Sequence, residues 1–212
     1  MNAFSKTALY AGRTDLPPLV AQAVALATDL GFIHCCIPEQ GRLLQVLARG
    51  RAGGVIGETG TGCGAGLAWM ASAVGPETRL VSVEIDPERA AACRALFADL
   101  PNVTVLHGDW RLIEGHAPFD LLAPDGGGGG KREDDPPADP GRLLTPGGTL
   151  VLDDFHPPFE FWPEEVAPRD EYGRSTTAAR KHWSEHPELF ATEVRVHPLM
   201  SAILATRKAP RP

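Results

Sequence analysis

The chain has 212 residues, of which 43% are hydrophobic and 22% charged, the ordinary composition of a globular protein long enough to bury a core. Its formal net charge of −7 and the scattered positions of its basic residues argue against a nucleic-acid or anionic-membrane partner. The four cysteines have no CxxC spacing, and no apolar run approaches the roughly 18 residues of a membrane span. We therefore expect a single cytoplasmic domain over residues 1–212.

Two helices are predicted ahead of the first strand. The first opens at Asp15 with prolines in its first turn and closes at Gly31, and the second follows Pro38. Both precede the alternating part of the chain, so residues 1–50 are predicted to form an N-terminal helical cap on the sheet.

From Val55 the chain alternates between strands and helices, and residues 51–208 are predicted to form the α/β core. The predicted strands are Val55–Glu58, Arg79–Ile85, Val103–His107, Phe119–Ala123 and Thr149–Asp153. The predicted helices are Cys63–Val74, Pro87–Leu100, a short one near Arg111–Gly115, a turn at Pro140–Leu144 and one around Thr176–Glu185. Phe190–Val196 and Ser201–Thr206 predict a terminal antiparallel hairpin. The pattern predicts a doubly wound, mostly parallel sheet.

A glycine-rich segment follows the first predicted strand. Glu58 is followed by Gly60-Thr61-Gly62-Cys63-Gly64-Ala65, and a helical pattern then begins at Leu67. The spacing satisfies the dinucleotide-binding fingerprint G-x-G-x-x-[GA], which lets a ligand approach the backbone. By itself the segment indicates a nucleotide-type cofactor and leaves its identity open.

Every predicted parallel strand ends at or near a carboxylate. These residues are Glu58, Glu84, Asp109, Asp125 and the pair Asp153–Asp154. In doubly wound folds the ligand lies beyond the carboxyl ends of the strands. Glu84 lies 24 residues after Gly60, where an acid accepts hydrogen bonds from the ribose hydroxyls of either NAD or S-adenosylmethionine.

Two features favour S-adenosylmethionine over NAD. Glu58 stands directly before the glycines, where its charge would repel a pyrophosphate but suits the ammonium side of S-adenosylmethionine. Gly108-Asp109-Trp110 offers a carboxylate and a flat ring for the amino group and the face of adenine.

These motifs together resemble the class I S-adenosylmethionine-dependent methyltransferases. The resemblance is carried by Glu58-x-Gly60-x-Gly62, Val83-Glu84-Ile85-Asp86, His107-Gly108-Asp109, Phe119-Asp120-Leu121-Leu122 and Leu144-Thr145-Pro146-Gly147-Gly148-Thr149-Leu150-Val151. The chain looks most like the small-molecule O-methyltransferases of the catechol and caffeoyl-CoA type, from about Pro38 to Arg207. The resemblance implies a Rossmann-like seven-stranded sheet and methyl transfer to a small-molecule acceptor, with a hydroxyl as the favoured methyl acceptor.

The resemblance also implies roles for individual residues. Cofactor binding is implied for Glu58, Gly60, Thr61, Gly62 and Gly64 toward the methionine part, Glu84 toward the ribose, and Ile85, Asp109 and Trp110 toward the adenine. Asp125 follows the fourth strand and Asp153–Asp154 the fifth, where metal-dependent members of the family hold Mg²⁺ with an Asp and an Asp–Asn pair. The resemblance thus implies a site for Mg²⁺ or another divalent cation at Asp125, Asp153 and Asp154, and Asp125 is also a candidate catalytic and cofactor-binding residue.

Three positions depart from the family pattern. Cys63–Gly64 replaces a Tyr–Ser pair, and Asp154 replaces the Asn. Gly126–Gly130 separate Asp125 from Lys131, the counterpart of a lysine that follows closely in the family and is thought to act as a base. His156, just after the acidic pair, is a second candidate base.

Two other functions stay open from the sequence alone. The first is an NAD-dependent oxidoreductase, which the glycine pattern permits but which leaves Glu58 and Asp109 unexplained. The second is a methyltransferase fold kept as a binding module without turnover, which the changed Cys63–Gly64 pair suggests. The acceptor is not specified, methylation of a small amine stays open, and a homodimer is one oligomeric state that such folds commonly adopt.

Overall fold

The described residues form seven strands and six α-helices, and strands alternate with helices from Val55 to Glu185. The strands are β1 (Val55–Thr59), β2 (Arg79–Glu84), β3 (Val103–His107), β4 (Phe119–Pro124), β5 (Leu144–Phe155), β6 (Leu189–His197) and β7 (Met200–Arg207). The helices are α1 (Pro18–Asp29), α2 (Pro38–Arg49), α3 (Ala65–Ala71), α4 (Pro87–Leu96), α5 (Pro140–Leu143) and α6 (Tyr172–Glu185), with 3₁₀ helices at Thr7–Tyr10 and Trp110–His116. This computed structural model describes residues 5–126, 130, 137–155, 172–198 and 200–209, with the backbone alone for 172–177.

The strands form one sheet in the order β3-β2-β1-β4-β5-β7-β6. β1 to β5 pair in parallel, whereas β7 runs antiparallel to both β5 and β6. The doubly wound sheet and the terminal hairpin predicted from the sequence are therefore confirmed. The strand order reverses between β1 and β4, which places the switch point of the sheet there.

The helices α1 and α2 pack on α3, which in turn packs on the sheet. The indole Nε1 of Trp69 on α3 donates to the Tyr10 hydroxyl at 3.1 Å, and that hydroxyl donates to the Cys36 carbonyl at 2.8 Å. Gly41 on α2 lies against the Trp69 ring, where a Cβ would overlap the indole. These contacts fix the segment between α1 and α2 above the carboxyl end of the sheet.

The predicted bounds of β5 were wrong at its start. The strand begins at Leu144 rather than Thr149, because Phe119 at the start of β4 pairs with Leu144 and the Thr145 hydroxyl donates to Asp120 at 2.9 Å. Pro146-Gly147-Gly148, whose composition is typical of a turn, therefore lies within the long irregular strand β5, because that strand pairs with residues distant in sequence.

The helices α3 and α4 are shorter than predicted. Both patterns end in tight turns rather than further helix, with the Ala73 N–H bonded to the Met70 carbonyl and the Leu100 N–H to the Phe97 carbonyl. Within the described ranges no helix is long and apolar enough to cross a lipid bilayer.

Candidate active site

A cavity of about 660 Å³ opens at the carboxyl ends of the strands, beside the switch point. Its wall is formed by the glycine segment, by the residues that follow β2 to β4, by the end of β5 and by the segment between α1 and α2. The volume falls in the range of sites for small molecules and cofactors, roughly 300–1,000 Å³.

Backbone hydrogen bonds hold the glycine segment against β2. The N–H groups of Gly60 and Thr61 both donate to the Val83 carbonyl, at 2.8 and 3.1 Å. Gly60 has a φ of +81°, and a Cβ at this position would overlap the backbone of Gly126. The N–H of Gly126 in turn donates to the Thr59 carbonyl at 2.9 Å, so the loops after β1 and β4 meet backbone to backbone.

Glu84 is buried at the end of β2 and lines the cavity. Its Oε2 accepts the Gly62 N–H at 2.7 Å. Its Oε1 accepts the Asp86 N–H at 2.9 Å and the Arg89 guanidinium at 2.8 Å. Three of the roughly four acceptor directions of the carboxylate are therefore used. Burial opposes the charge on Arg89, but Glu84 raises the pKa of Arg89 above its ordinary value.

Glu58 and Gly64 lie behind the cavity wall rather than on it. Glu58 is 2% exposed and its Oε2 accepts a hydrogen bond from the Ser82 hydroxyl at 2.6 Å. Burial raises the pKa of Glu58 well above its ordinary value, against the lowering effect of Ser82. Gly64 precedes the first residue of α3 and packs on Phe97. Both residues therefore shape the loop from beneath, whereas Gly60, Thr61 and Gly62 face the cavity.

The residues predicted to hold the adenine lie at the rim. Ile85, Asp109 and Trp110 all line the cavity, and Ile85 is 68% exposed. The Asp109 carboxylate accepts the Arg111 N–H at 2.9 Å and so caps the 3₁₀ helix that starts at Trp110. The Arg111 guanidinium lies over the Trp110 ring, 5.0 Å from its centroid.

Three carboxylates converge at the other end of the cavity. One oxygen each from Asp125, Asp153 and Asp154 lies within 4.8 Å of the others. The register of β5 shifts between Leu152 and Phe155, and Asp154 has a φ of +64°. Successive side chains of a regular strand point to opposite faces, so this irregularity is what lets adjacent Asp153 and Asp154 reach one site.

The lysine ammonium of Lys6 lies against this acidic cluster. Its Nζ donates to Asp154 Oδ1 at 2.7 Å, and its side chain is only 12% exposed. Burial would lower the pKa of Lys6, but the carboxylates of Asp154, Asp153 and Asp125 raise it above its ordinary value.

The acidic cluster fits a hard divalent cation in donor type and in spacing. Around an octahedral Mg²⁺ with bonds of about 2.1 Å, ligand oxygens lie about 3 to 4.2 Å apart. The three carboxylate oxygens, within 4.8 Å of one another, are close to that spacing. Asp125, Asp153 and Asp154 are therefore residues that could hold such an ion.

Two predicted catalytic residues, Lys131 and His156, lie outside the described residues, as do Phe159, Phe161 and Trp162. Phe155 is described and lines the cavity.

The structure also brings residues to the cavity that the sequence did not single out for it. They are Lys6, Phe32, His34, Cys35, Cys36 and Arg89. Apart from Arg89, which lies five residues after Glu84 at the start of a predicted helix, they come from segments before the first predicted strand.

Comparisons with known proteins agree with this geometry. No family model matches the chain. A putative O-methyltransferase of Mycobacteroides abscessus is 31% identical over 144 residues, which are 63% of this chain and 64% of the relative. The chain thus spans slightly less than two thirds of the length of that relative.

Two solved structures share the fold. The O-methyltransferase of Bacillus cereus in complex with S-adenosylhomocysteine superposes with a TM-score of 0.71 at 20% identity over 96% of both chains. A putative caffeoyl-CoA O-methyltransferase of Staphylococcus aureus gives a TM-score of 0.66 at 13% identity over 89% of this chain and 91% of the other. The resemblance to O-methyltransferases and the Rossmann-like methyltransferase fold are therefore confirmed.

Proposed function

We propose that this chain, which has the fold of the class I S-adenosylmethionine-dependent methyltransferases, transfers a methyl group from S-adenosylmethionine to a hydroxyl of a small molecule. The curated relatives named O-methyltransferases and the S-adenosylhomocysteine complex of the Bacillus cereus protein support the proposal. The observation within this chain that carries it is the charge of the cavity.

Carboxylates outnumber cations on the described part of the cavity wall. The acidic residues there are Glu84, Asp109, Asp125, Asp153 and Asp154, against Lys6 and Arg89 as the lysine and arginine side chains. S-adenosylmethionine carries a sulfonium and an ammonium against one carboxylate, so an acidic wall favours it. The two phosphates of NAD would meet the same carboxylates with like charge, which disfavours the oxidoreductase alternative.

The chain's own residues suggest how the cofactor is held. Glu84 is placed to accept a ribose hydroxyl through its remaining acceptor direction, because its other directions fix the glycine segment and Arg89. Trp110 and Ile85 offer apolar surface at the rim for the adenine, with Asp109 beside them for its amino group. Gly60, Thr61 and Gly62 let the methionine part lie close to the backbone. These assignments are proposals.

When bound, S-adenosylmethionine supplies an electrophilic methyl carbon. In the transfer the sulfur–carbon bond breaks, an oxygen–carbon bond forms, and the acceptor hydroxyl gives up its proton. The cavity wall excludes bulk water from one side and orients the two reactants, which is the main contribution that a binding cleft makes to such a displacement.

We further propose that Asp125, Asp153 and Asp154 hold a divalent cation. Such an ion would lower the pKa of an acceptor hydroxyl bound to it. Lys131 and His156 stay candidate bases, and the cytoplasmic location and the homodimer stay predictions.

The test is methyl transfer from S-adenosylmethionine labelled at its methyl group to a panel of catechols, phenols and small amines. We expect labelled ether products from at least one hydroxyl acceptor and none with the double variant Glu84→Ala/Asp125→Ala. Binding of S-adenosylhomocysteine without transfer to any member of the panel would favour the binding-module alternative instead.

A further inference from the structure

Lys6 is anchored next to the cavity through its neighbour Thr7. The next residue, Thr7, donates its N–H to the Ile33 carbonyl at 3.3 Å and its hydroxyl to the Phe32 carbonyl at 2.7 Å. The same hydroxyl accepts the Cys35 N–H at 3.4 Å. The backbone beside Lys6 is therefore tied to the segment that lines the cavity, which keeps the Lys6 side chain within reach of the acidic cluster.

The ammonium contacts one of the three carboxylates that a bound cation would need. It donates to Asp154 Oδ1, one of the residues of the acidic cluster, and it carries one positive charge against the three carboxylates Asp125, Asp153 and Asp154. An ammonium and a divalent ion that share Asp154 would repel each other at close range.

A further hydrogen-bond acceptor lines a small cavity that Lys6 also lines. A small cavity of about 10 Å³, next to the larger one, is lined by Lys6, Gln40, Asp153 and Asp154 among others. The side-chain Oε1 of Gln40 is buried there, Gln40 being 3% exposed, and has no hydrogen-bond partner among the described residues. A buried carbonyl oxygen without a donor points to a ligand that donates or carries positive charge.

We propose that Lys6 is a tethered cation that competes with a divalent metal ion for Asp125, Asp153 and Asp154. A metal ion binds only when the ammonium leaves Asp154, and without metal the ammonium supplies a positive charge at the end of the cavity where the acidic cluster lies. The second consequence rests on the proposed function, whereas the competition itself is measurable without methyl transfer.

The experiment is a calorimetric titration of Mn²⁺ into the full chain, comparing the unchanged protein with Lys6→Met. We expect Lys6→Met to bind one Mn²⁺ at least about tenfold more tightly, because the competing charge is gone. Lys6→Arg should stay as weak as the unchanged protein. Lys181→Met is the matched control, since it removes the same charge from an exposed position on α6 and should leave Mn²⁺ affinity unchanged.

The added affinity should come from the acidic cluster, so Lys6→Met/Asp153→Asn should lose it. The proposal is overturned if Lys6→Met is folded by circular dichroism yet binds Mn²⁺ no more tightly than the unchanged protein. Lys6→Gln provides the same comparison should Lys6→Met fail to fold. S-adenosylhomocysteine binding, measured on the same samples, separates the two proposals: its absence contradicts the proposed function and leaves the Mn²⁺ result to decide on Lys6.

Discussion

At the scale of single residues, Glu84 both holds the glycine segment by a hydrogen bond and lines the cavity. Its carboxylate accepts the Gly62 N–H, the Asp86 N–H and the Arg89 guanidinium, so one acceptor direction is left for a ligand. The two hydroxyls of a ribose need two acceptors, so either Arg89 moves or a second group takes one hydroxyl.

Glu84→Gln should weaken S-adenosylhomocysteine binding by about tenfold or more, because hydrogen bonds to charged groups contribute roughly 1.5–3 kcal/mol each. Isothermal titration calorimetry measures the change. Glu88→Gln is the control, since Glu88 is exposed in the first turn of α4. Equal affinities for the two variants would remove Glu84 from the proposed ribose site.

Glu58 makes the stability of the fold depend on pH. Its pKa is raised by burial, so above the ordinary value of 4.5 the unfolded chain releases a proton that the folded chain keeps. The unfolded state then binds fewer protons, and the free energy of unfolding falls as the pH rises toward the folded pKa. Glu58→Gln has no such proton to lose.

The melting temperature of Glu58→Gln relative to the unchanged protein should therefore rise between pH 5 and pH 8. Differential scanning calorimetry across that range tests this. Glu77→Gln removes an exposed carboxylate and should show a constant difference instead. A Glu58→Gln difference that stays flat or falls with pH would contradict a protonated Glu58.

At the scale of elements, the loops after β1 and β4 pack backbone to backbone at Gly60 and Gly126. A Cβ at Gly60 would overlap Gly126, and a Cβ at Gly126 would overlap Gly60. Gly126 is therefore required by packing, which accounts for the first glycine of the run that separates Asp125 from Lys131.

Gly126→Ala should destabilise the chain by about 1–3 kcal/mol and weaken cofactor binding, because the two loops must move apart. Urea denaturation and calorimetry measure the two effects. Gly115→Ala is the control: a Cβ there meets nothing within 4 Å, so stability should hold or rise slightly. Equal stability of both variants would mean that the loops separate without cost.

The sequence predicted the elements and the strand-end carboxylates better than their arrangement. Local periodicity identifies β2 and β3 and puts Glu84 at the carboxyl end of β2 and Asp109 just beyond that of β3, at the edge that parallel strands share. The early start of β5 and its irregularity at Asp154 depend on pairing with distant strands, which local patterns do not contain.

The contact of Lys6 with Asp154 could not be predicted from the sequence either, since the two residues lie 148 positions apart and Lys6 precedes every predicted element. For Glu58 the sequence pattern identified an acid at the end of the strand but did not indicate how deeply its side chain is buried. An acid at a strand end can face the ligand or lie beneath the loop, and only packing against Ser82 and α3 decides between them.

At the scale of the whole molecule, the charges of the site decide which cofactor fits. The fold brings carboxylates from the ends of β2, β4 and β5 and from the loop after β3 onto one cavity wall, in a chain whose net charge is already −7. A cationic sulfonium cofactor suits that wall and a dinucleotide does not.

Calorimetric titration of S-adenosylmethionine and, separately, of NAD⁺ into the full chain tests this most directly. We predict saturable binding of one S-adenosylmethionine per chain and no measurable heat from NAD⁺. A folded protein that binds NAD⁺, or that binds neither ligand, would contradict the assignment of the cavity to S-adenosylmethionine.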